Sequence, residues 1–114
     1  MEIHYKLHRL KELADNDQEF LLALASTFIE EVPEDARVLK IAVAEKNYLQ
    51  TYQTAHKMKP TVDMFELGIL DDLIEVQDWG KLEQTEKDIT DKLNKVLAAV
   101  ERATNELIED FNLE

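Results

Sequence analysis

Residues 48 to 67 read YLQTYQTAHKMKPTVDMFEL, and the apolar residues in this stretch recur every three or four positions. The positions that share one face are Tyr48, Thr51 or Tyr52, Ala55, Met58, Val62 and Phe65. This spacing is typical of an amphipathic helix that buries one face in a core. Gly68 stands where a helix commonly ends, because glycine readily adopts the left-handed conformation of a C-terminal cap. We therefore expect a helix from Tyr48 to about Leu67.

Helical spacing continues on both sides of this stretch. Asn16 and Glu19 have the spacing of a capping box that opens a helix. Pro33 lacks an N–H, so it predicts the end of that helix and the first turn of the next. The dipeptide Trp79-Gly80 predicts a turn. The predicted helices cover residues 3–14, 17–31, 33–45, 48–67, 69–78 and 82–111. Short connections between them favour an all-α, antiparallel up-and-down four-helix bundle with additional short helices.

The composition agrees with a single helical domain. The chain has 114 residues, of which two are glycine, two are proline and 45% are hydrophobic. This length and apolar content suit one domain over residues 1–114 with one continuous core. Leu113 and Glu114 have the character of a cloning remnant, so they do not enter the functional argument.

The charge and the cysteine content exclude several classes of function. The formal net charge is −12, so the field around the chain repels phosphate backbones and anionic lipids. We therefore expect neither a nucleic-acid nor a membrane partner. The sequence has no cysteine, which rules out disulfides and thiolate chemistry. No apolar run approaches the ~20 residues of a membrane span, and the first ten residues lack a signal-peptide apolar region, so we expect a cytoplasmic location.

Two histidines near the start raise the question of a metal site. His4 and His8 are four residues apart, a spacing that can hold a metal ion on one helix face. Neither cysteine nor a convergent set of carboxylates completes such a site, so we interpret both as surface or packing residues and expect no metal. Di-iron bundles carry Glu three residues before the histidine, whereas Gln53 precedes His56. The sequence also lacks a glycine-rich phosphate loop and a Gly-x-Ser-x-Gly turn, so we expect no complete active site in the chain alone.

His56 lies at the edge of the predicted buried face. It is rotated by about 100° from Ala55, so its imidazole should face solvent. Lys57 and Lys59 place two positive charges beside it in a chain that is otherwise strongly acidic, and these charges would attract an anion. A neutral imidazole is a competent nucleophile for phosphoryl groups. The alternative is an ordinary surface histidine between two solvated lysines.

Three parts of the chain resemble histidine-containing phosphotransfer (HPt) domains. Residues 55–59, AHKMK, resemble the phosphoacceptor motif His-x-x-Lys-Gly, which lies in the middle of a helix in a small helical bundle. Residues 20–35, FLLALASTFIEEVPED, resemble the second helix of the family. Leu67-Gly68 and the run from Leu70 to Glu75 resemble the helix that packs beside the phosphoacceptor. The resemblance covers about residues 3 to 110, and it departs at Pro60, where the family usually has glycine.

The resemblance implies a relay of phosphoryl groups between receiver-domain aspartates, without kinase activity of its own. His56 would be the phosphoacceptor, and Lys59, with Lys57, would hold the phosphoryl oxygens. Gln77 or Asp78 would orient the imidazole, with Glu75 a weaker candidate, and all three are alternatively solvated residues at a helix end. The surface that docks the partner would comprise Tyr52, Gln53, Pro60, Asp63 and Met64. Met64 is alternatively a core residue.

The same resemblance implies the partners and the cofactors. The partners would be receiver domains of response regulators or hybrid histidine kinases, and the chain would act as a monomer without a cofactor. Mg²⁺ would belong to the acidic pocket of the receiver.

Because Pro60 cannot donate a hydrogen bond to the carbonyl of His56, we expect a local bend or a water-bonded carbonyl there. The alternative function is a non-catalytic helical adaptor of HPt shape.

Overall fold

The computed structural model describes residues 17–111, and within this range the chain forms four α-helices. They are α1 (Gln18–Ala44), α2 (Tyr48–Met64), α3 (Leu70–Lys81) and α4 (Thr90–Phe111). Each helix packs against the next one in the chain, and α4 packs back against α1. The predicted all-α, antiparallel four-helix bundle is therefore confirmed. The predicted helix over residues 3–14, with His4 and His8, lies outside the described residues.

All four helices contribute to one apolar core. Phe28 of α1 and Phe65 at the end of α2 are in contact in this core, with ring centroids 4.7 Å apart. Other side chains that are almost completely buried are Leu39, Met58, Val62, Leu73, Val76, Val96 and Leu107. The predicted buried stripe of α2 is confirmed at Ala55, Met58, Val62 and Phe65.

The prediction that Pro33 separates two helices is wrong, because α1 runs through Pro33 without a break. Its buried positions keep a spacing of three or four across the proline: Leu21, Ala25, Phe28, Val32, Ala36, Leu39 and Ala42. Proline removes one backbone hydrogen bond, to the carbonyl of Ile29, at a cost of about 3 kcal/mol. Burial of the four larger side chains of this stripe outweighs that cost, since a fully buried Val, Leu or Phe side chain contributes roughly 1.5–3 kcal/mol.

The helix ends also differ from those predicted. Asp17 caps α1, accepting hydrogen bonds from the N–H groups of Glu19 and Phe20, whereas the predicted cap was Asn16. The left-handed residue that ends α2 is Glu66 (φ 51°), two positions before Gly68, which also has a positive φ of 78°. The N–H of Leu67 donates to the carbonyl of Val62, which makes a Schellman motif and ends α2 three residues earlier than expected.

Trp79 and Gly80 lie inside α3 and do not form the predicted turn. The ring of Trp79 is buried, and its Nε1 donates to the carbonyl of Lys87 at 2.9 Å. Gly80 packs directly on α2: a Cβ there would lie 2.6 Å from the carbonyl oxygen of Tyr48 and 2.8 Å from the nitrogen of Tyr52. The glycine therefore serves close helix packing.

The last helix begins at Thr90, eight residues later than predicted. Leu82 caps α3 and is 62% exposed, so the first apolar residue assigned to the predicted helix does not belong to the core stripe. Residues 82–89 form the connection. Asp88 Oδ1 accepts a hydrogen bond from the N–H of Thr90 at 2.9 Å and thereby supports the first turn of α4.

Candidate functional site

His56 lies in the middle of α2 and is exposed to solvent, as predicted. The helix that carries it is well anchored at its start, because Asn47 Oδ1 accepts a hydrogen bond from the N–H of Gln50 at 3.1 Å. The ring of Tyr52, one turn earlier, lies 5.8 Å from the imidazole between centroids. Ala55 and Met58 fix the rotation of α2 by their burial, and this rotation keeps the imidazole outside the core.

Pro60 lies inside α2, and the helix continues beyond it to Met64. Because proline has no N–H, the carbonyl of His56 lacks its usual helical donor four residues later. The loss therefore falls on the backbone of the candidate phosphoacceptor itself. The bend expected there stays a prediction.

Lys57 is paired with α1. Its Nζ lies 3.0 Å from Asp35 Oδ1, across 22 residues of sequence. The hydrogen bond to Asp35, and then the charges of Asp35 and Glu31, raise the pKa of Lys57 above its ordinary value. Lys59 is half-buried, and within residues 17–111 no carboxylate forms an ion pair with it. The two lysines that were predicted to hold an anion therefore have different environments.

Gln77 and Asp78 are the two candidates for orienting the imidazole. Gln77 precedes Gly80 by three residues, so both lie on the face of α3 that packs against α2. Its side chain is buried, and its Oε1 has no hydrogen-bond partner within the part of the chain that the structure describes. Asp78 is half-buried. Neither residue is hydrogen-bonded to His56 in the described structure, so their role stays a prediction.

Glu75, the weaker orienting candidate, interacts with α4. Its Oε2 lies 3.1 Å from Lys92 Nζ, and its Oε1 lies 3.9 Å from Lys87 Nζ. These ion pairs join Glu75 to α4 and to the connection that precedes α4.

The predicted docking residues form a band along α2 on both sides of His56. Gln53, Pro60 and Asp63 are exposed, and Tyr52 is half-buried. Met64 is half-buried and packs against the apolar core, which favours the core interpretation for part of its side chain. An additional residue on this band, Leu49, is 64% exposed and was not singled out by the sequence. It occupies a position two turns before His56, and this helical spacing was the available signal.

Other kinds of site find no support in the described part of the chain. No group of three or more His, Cys, Asp or Glu residues within 17–111 could hold a metal ion. Among the described helices, none is both long and apolar enough to cross a membrane. The chain matches none of the protein-family models, none of the curated proteins and none of the solved structures.

Proposed function

We propose that the chain is a histidine-containing phosphotransfer protein, which accepts a phosphoryl group on His56 from the aspartate of one receiver domain and passes it to another. The observation that carries this proposal is the exposed imidazole in the middle of α2, beside two lysines in a chain of net charge −12. We further propose that the chain acts in the cytoplasm, as a monomer without a cofactor of its own.

In the proposed reaction an imidazole nitrogen attacks the phosphorus of the aspartyl phosphate. The bond between phosphorus and the carboxylate oxygen breaks, and the aspartate leaves as a carboxylate. The other ring nitrogen keeps its proton, and Gln77 would accept a hydrogen bond from it through its Oε1, which has no partner among the described residues. Lys59, with Lys57, would neutralise charge on the transferred group, and a Mg²⁺ ion held by the receiver would supply further positive charge.

Labelling by phosphorylated receivers tests the proposal. We expect the wild-type chain to take up acid-labile, alkali-stable label from a matching receiver, and the His56→Gln variant to take up none. His4→Gln and His8→Gln are matched controls that should label as wild type does. Because His56 is exposed, its substitution should leave the circular dichroism spectrum and the Tm unchanged.

Two results would contradict the proposal. Label on His56→Gln equal to that on wild type would place the phosphoryl group elsewhere. If no member of a broad panel of receivers transfers label to the chain, but receivers still bind it, the alternative function of a non-catalytic helical adaptor would be favoured.

A further inference from the structure

Lys57 follows His56 directly in the chain, but its ammonium group is bound to another helix. Its Nζ is 3.0 Å from Asp35 Oδ1 on α1. The side chain of Asp35 is only 14% exposed, whereas that of Lys57 is 63% exposed. The short carboxylate is thus held in place by its surroundings, and the long, flexible lysine reaches to it. Asp35 therefore determines where the positive charge of Lys57 resides.

The two lysines lie on opposite sides of His56 around the axis of α2. At about 100° per residue, Lys57 is rotated by about 100° from His56 in one direction, and Lys59 by about 60° in the other. The pairing with Asp35 shows that the side of Lys57 faces α1. Adjacent side chains on a helix do not face each other, whereas residues three apart do. Lys59 is therefore better placed than Lys57 to reach a group on the imidazole.

We propose that Asp35 is a positioning residue that holds Lys57 on the α1 side of α2, so that Lys59 alone contacts the phosphoryl oxygens of phosphorylated His56. This inference rests on the proposed function and changes the role expected for Lys57. Besides Asp35 and the two lysines, α2 and the two helices that pack against it carry other charged residues, among them Asp63 on α2, Glu31 on α1 and Asp78 on α3.

Chemical phosphorylation provides a test that needs no receiver. Phosphoramidate phosphorylates exposed imidazoles: the ring nitrogen attacks phosphorus, the bond to the amine nitrogen breaks, and ammonia leaves with the protons it already carried. The ³¹P resonance of phosphorylated His56 is identified by its loss in H56Q. The pKa of its phosphoryl group is then measured from the ³¹P shift against pH, because a nearby ammonium group lowers that pKa.

The proposal predicts a different result for each lysine. K59Q should raise the phosphoryl pKa by about 0.5, the effect of one charge at about 5 Å in water. K57Q should leave it within ~0.1 of wild type, since a charge engaged by Asp35 on another helix has little effect. D35N should release Lys57 towards the phosphoryl group and lower the phosphoryl pKa by about 0.5.

A double-substitution cycle separates positioning from the loss of a charge. If Asp35 acts through Lys57, D35N should have no effect in the K57Q background. E31Q is the matched control, because it removes a carboxylate one turn earlier on α1 that exerts only its charge on Lys57. It should shift the phosphoryl pKa by less than ~0.2.

Two outcomes would overturn the inference. One is that K57Q raises the phosphoryl pKa as much as K59Q does. The other is that D35N leaves the phosphoryl pKa unchanged while the Tm of the D35N variant shows that its bundle is folded. Neither depends on transfer from a receiver. This titration can be measured even if the chain exchanges no phosphoryl group with any receiver. Failure of the proposed function and failure of this inference are therefore distinguishable.

Discussion

At the scale of the residue, Gln77 combines a cost with a proposed use. The residue is 7% exposed, and its Oε1 has no hydrogen-bond partner among residues 17–111. A buried polar group without a partner costs roughly 1–3 kcal/mol. Such a residue is unfavourable for stability alone, whereas a residue that orients the imidazole of His56 needs a free acceptor.

We therefore expect Gln77→Leu to stabilise the chain and to impair the proposed phosphoryl transfer. The free energy of unfolding in urea should rise by about 1 kcal/mol, because a buried amide oxygen without a partner among residues 17–111 is removed at nearly constant volume. If Gln77 has the proposed orienting role, the rate of labelling by a phosphorylated receiver should fall by about tenfold, because the tautomer of His56 would lose its hydrogen-bond acceptor. Gln84→Leu is the matched control, since Gln84 Oε1 is also buried without a partner in the described structure but lies in the connection before α4. It should change stability alone. Unchanged labelling in Gln77→Leu would remove this residue from the site.

The spacing of apolar residues is enough to predict that His56 lies on the exposed side of a helix. The burial of Ala55 and Met58 in the structure fixes the rotation of that helix as predicted. They do not locate the partner of Lys57. Asp35 is 22 residues away, and its pairing depends on how α1 packs against α2. Helical periodicity describes one helix at a time, so a contact between helices leaves no periodic signal.

At the scale of the element, Gly80 sets how closely α3 approaches α2. We expect Gly80→Ala to destabilise the bundle by about 1–2 kcal/mol, since the steric cost of overpacking exceeds the helix propensity that alanine gains. The clash is with backbone atoms of Tyr48 and Tyr52, which cannot rotate away. Urea unfolding measures the loss. In Gly68→Ala no atom lies within 4 Å of the new Cβ, so its cost comes from the positive φ of 78° alone. A Gly80→Ala variant as stable as wild type would contradict the close packing.

Helix class and approximate position were predictable, whereas the boundaries at Pro33 and Gly80 were not. Both residues are rare inside helices on local grounds. In this chain the core stripe of α1 continues across Pro33, and the contact with α2 requires a residue without a side chain at Gly80. Tertiary packing decided both cases, and it is not visible in a short sequence window.

At the scale of the whole molecule, acidic residues outnumber basic ones by 25 to 13. A few ion pairs join helices, among them Lys57 with Asp35 and Lys92 with Glu75. A pair between exposed side chains, such as Lys92 with Glu75, contributes about 0.2–1 kcal/mol, and salt weakens it. Repulsion among the unpaired carboxylates opposes folding, and salt weakens that repulsion as well. The sign of the salt effect depends on which contribution is larger.

The excess of negative charge should dominate, so we expect added salt to stabilise the chain. Raising NaCl from 50 to 500 mM should increase the Tm by about 4 °C, on the order of 1 kcal/mol, because the Debye length falls from about 14 to about 4 Å. The double variant Glu101→Gln, Glu109→Gln is the control. Both residues are exposed on α4 and form no ion pair within residues 17–111, and their substitution reduces the net negative charge from −12 to about −10. Its Tm should start higher and rise less with salt. A Tm that falls with salt in the wild-type chain would mean that the interhelical ion pairs contribute more to stability than charge repulsion takes away.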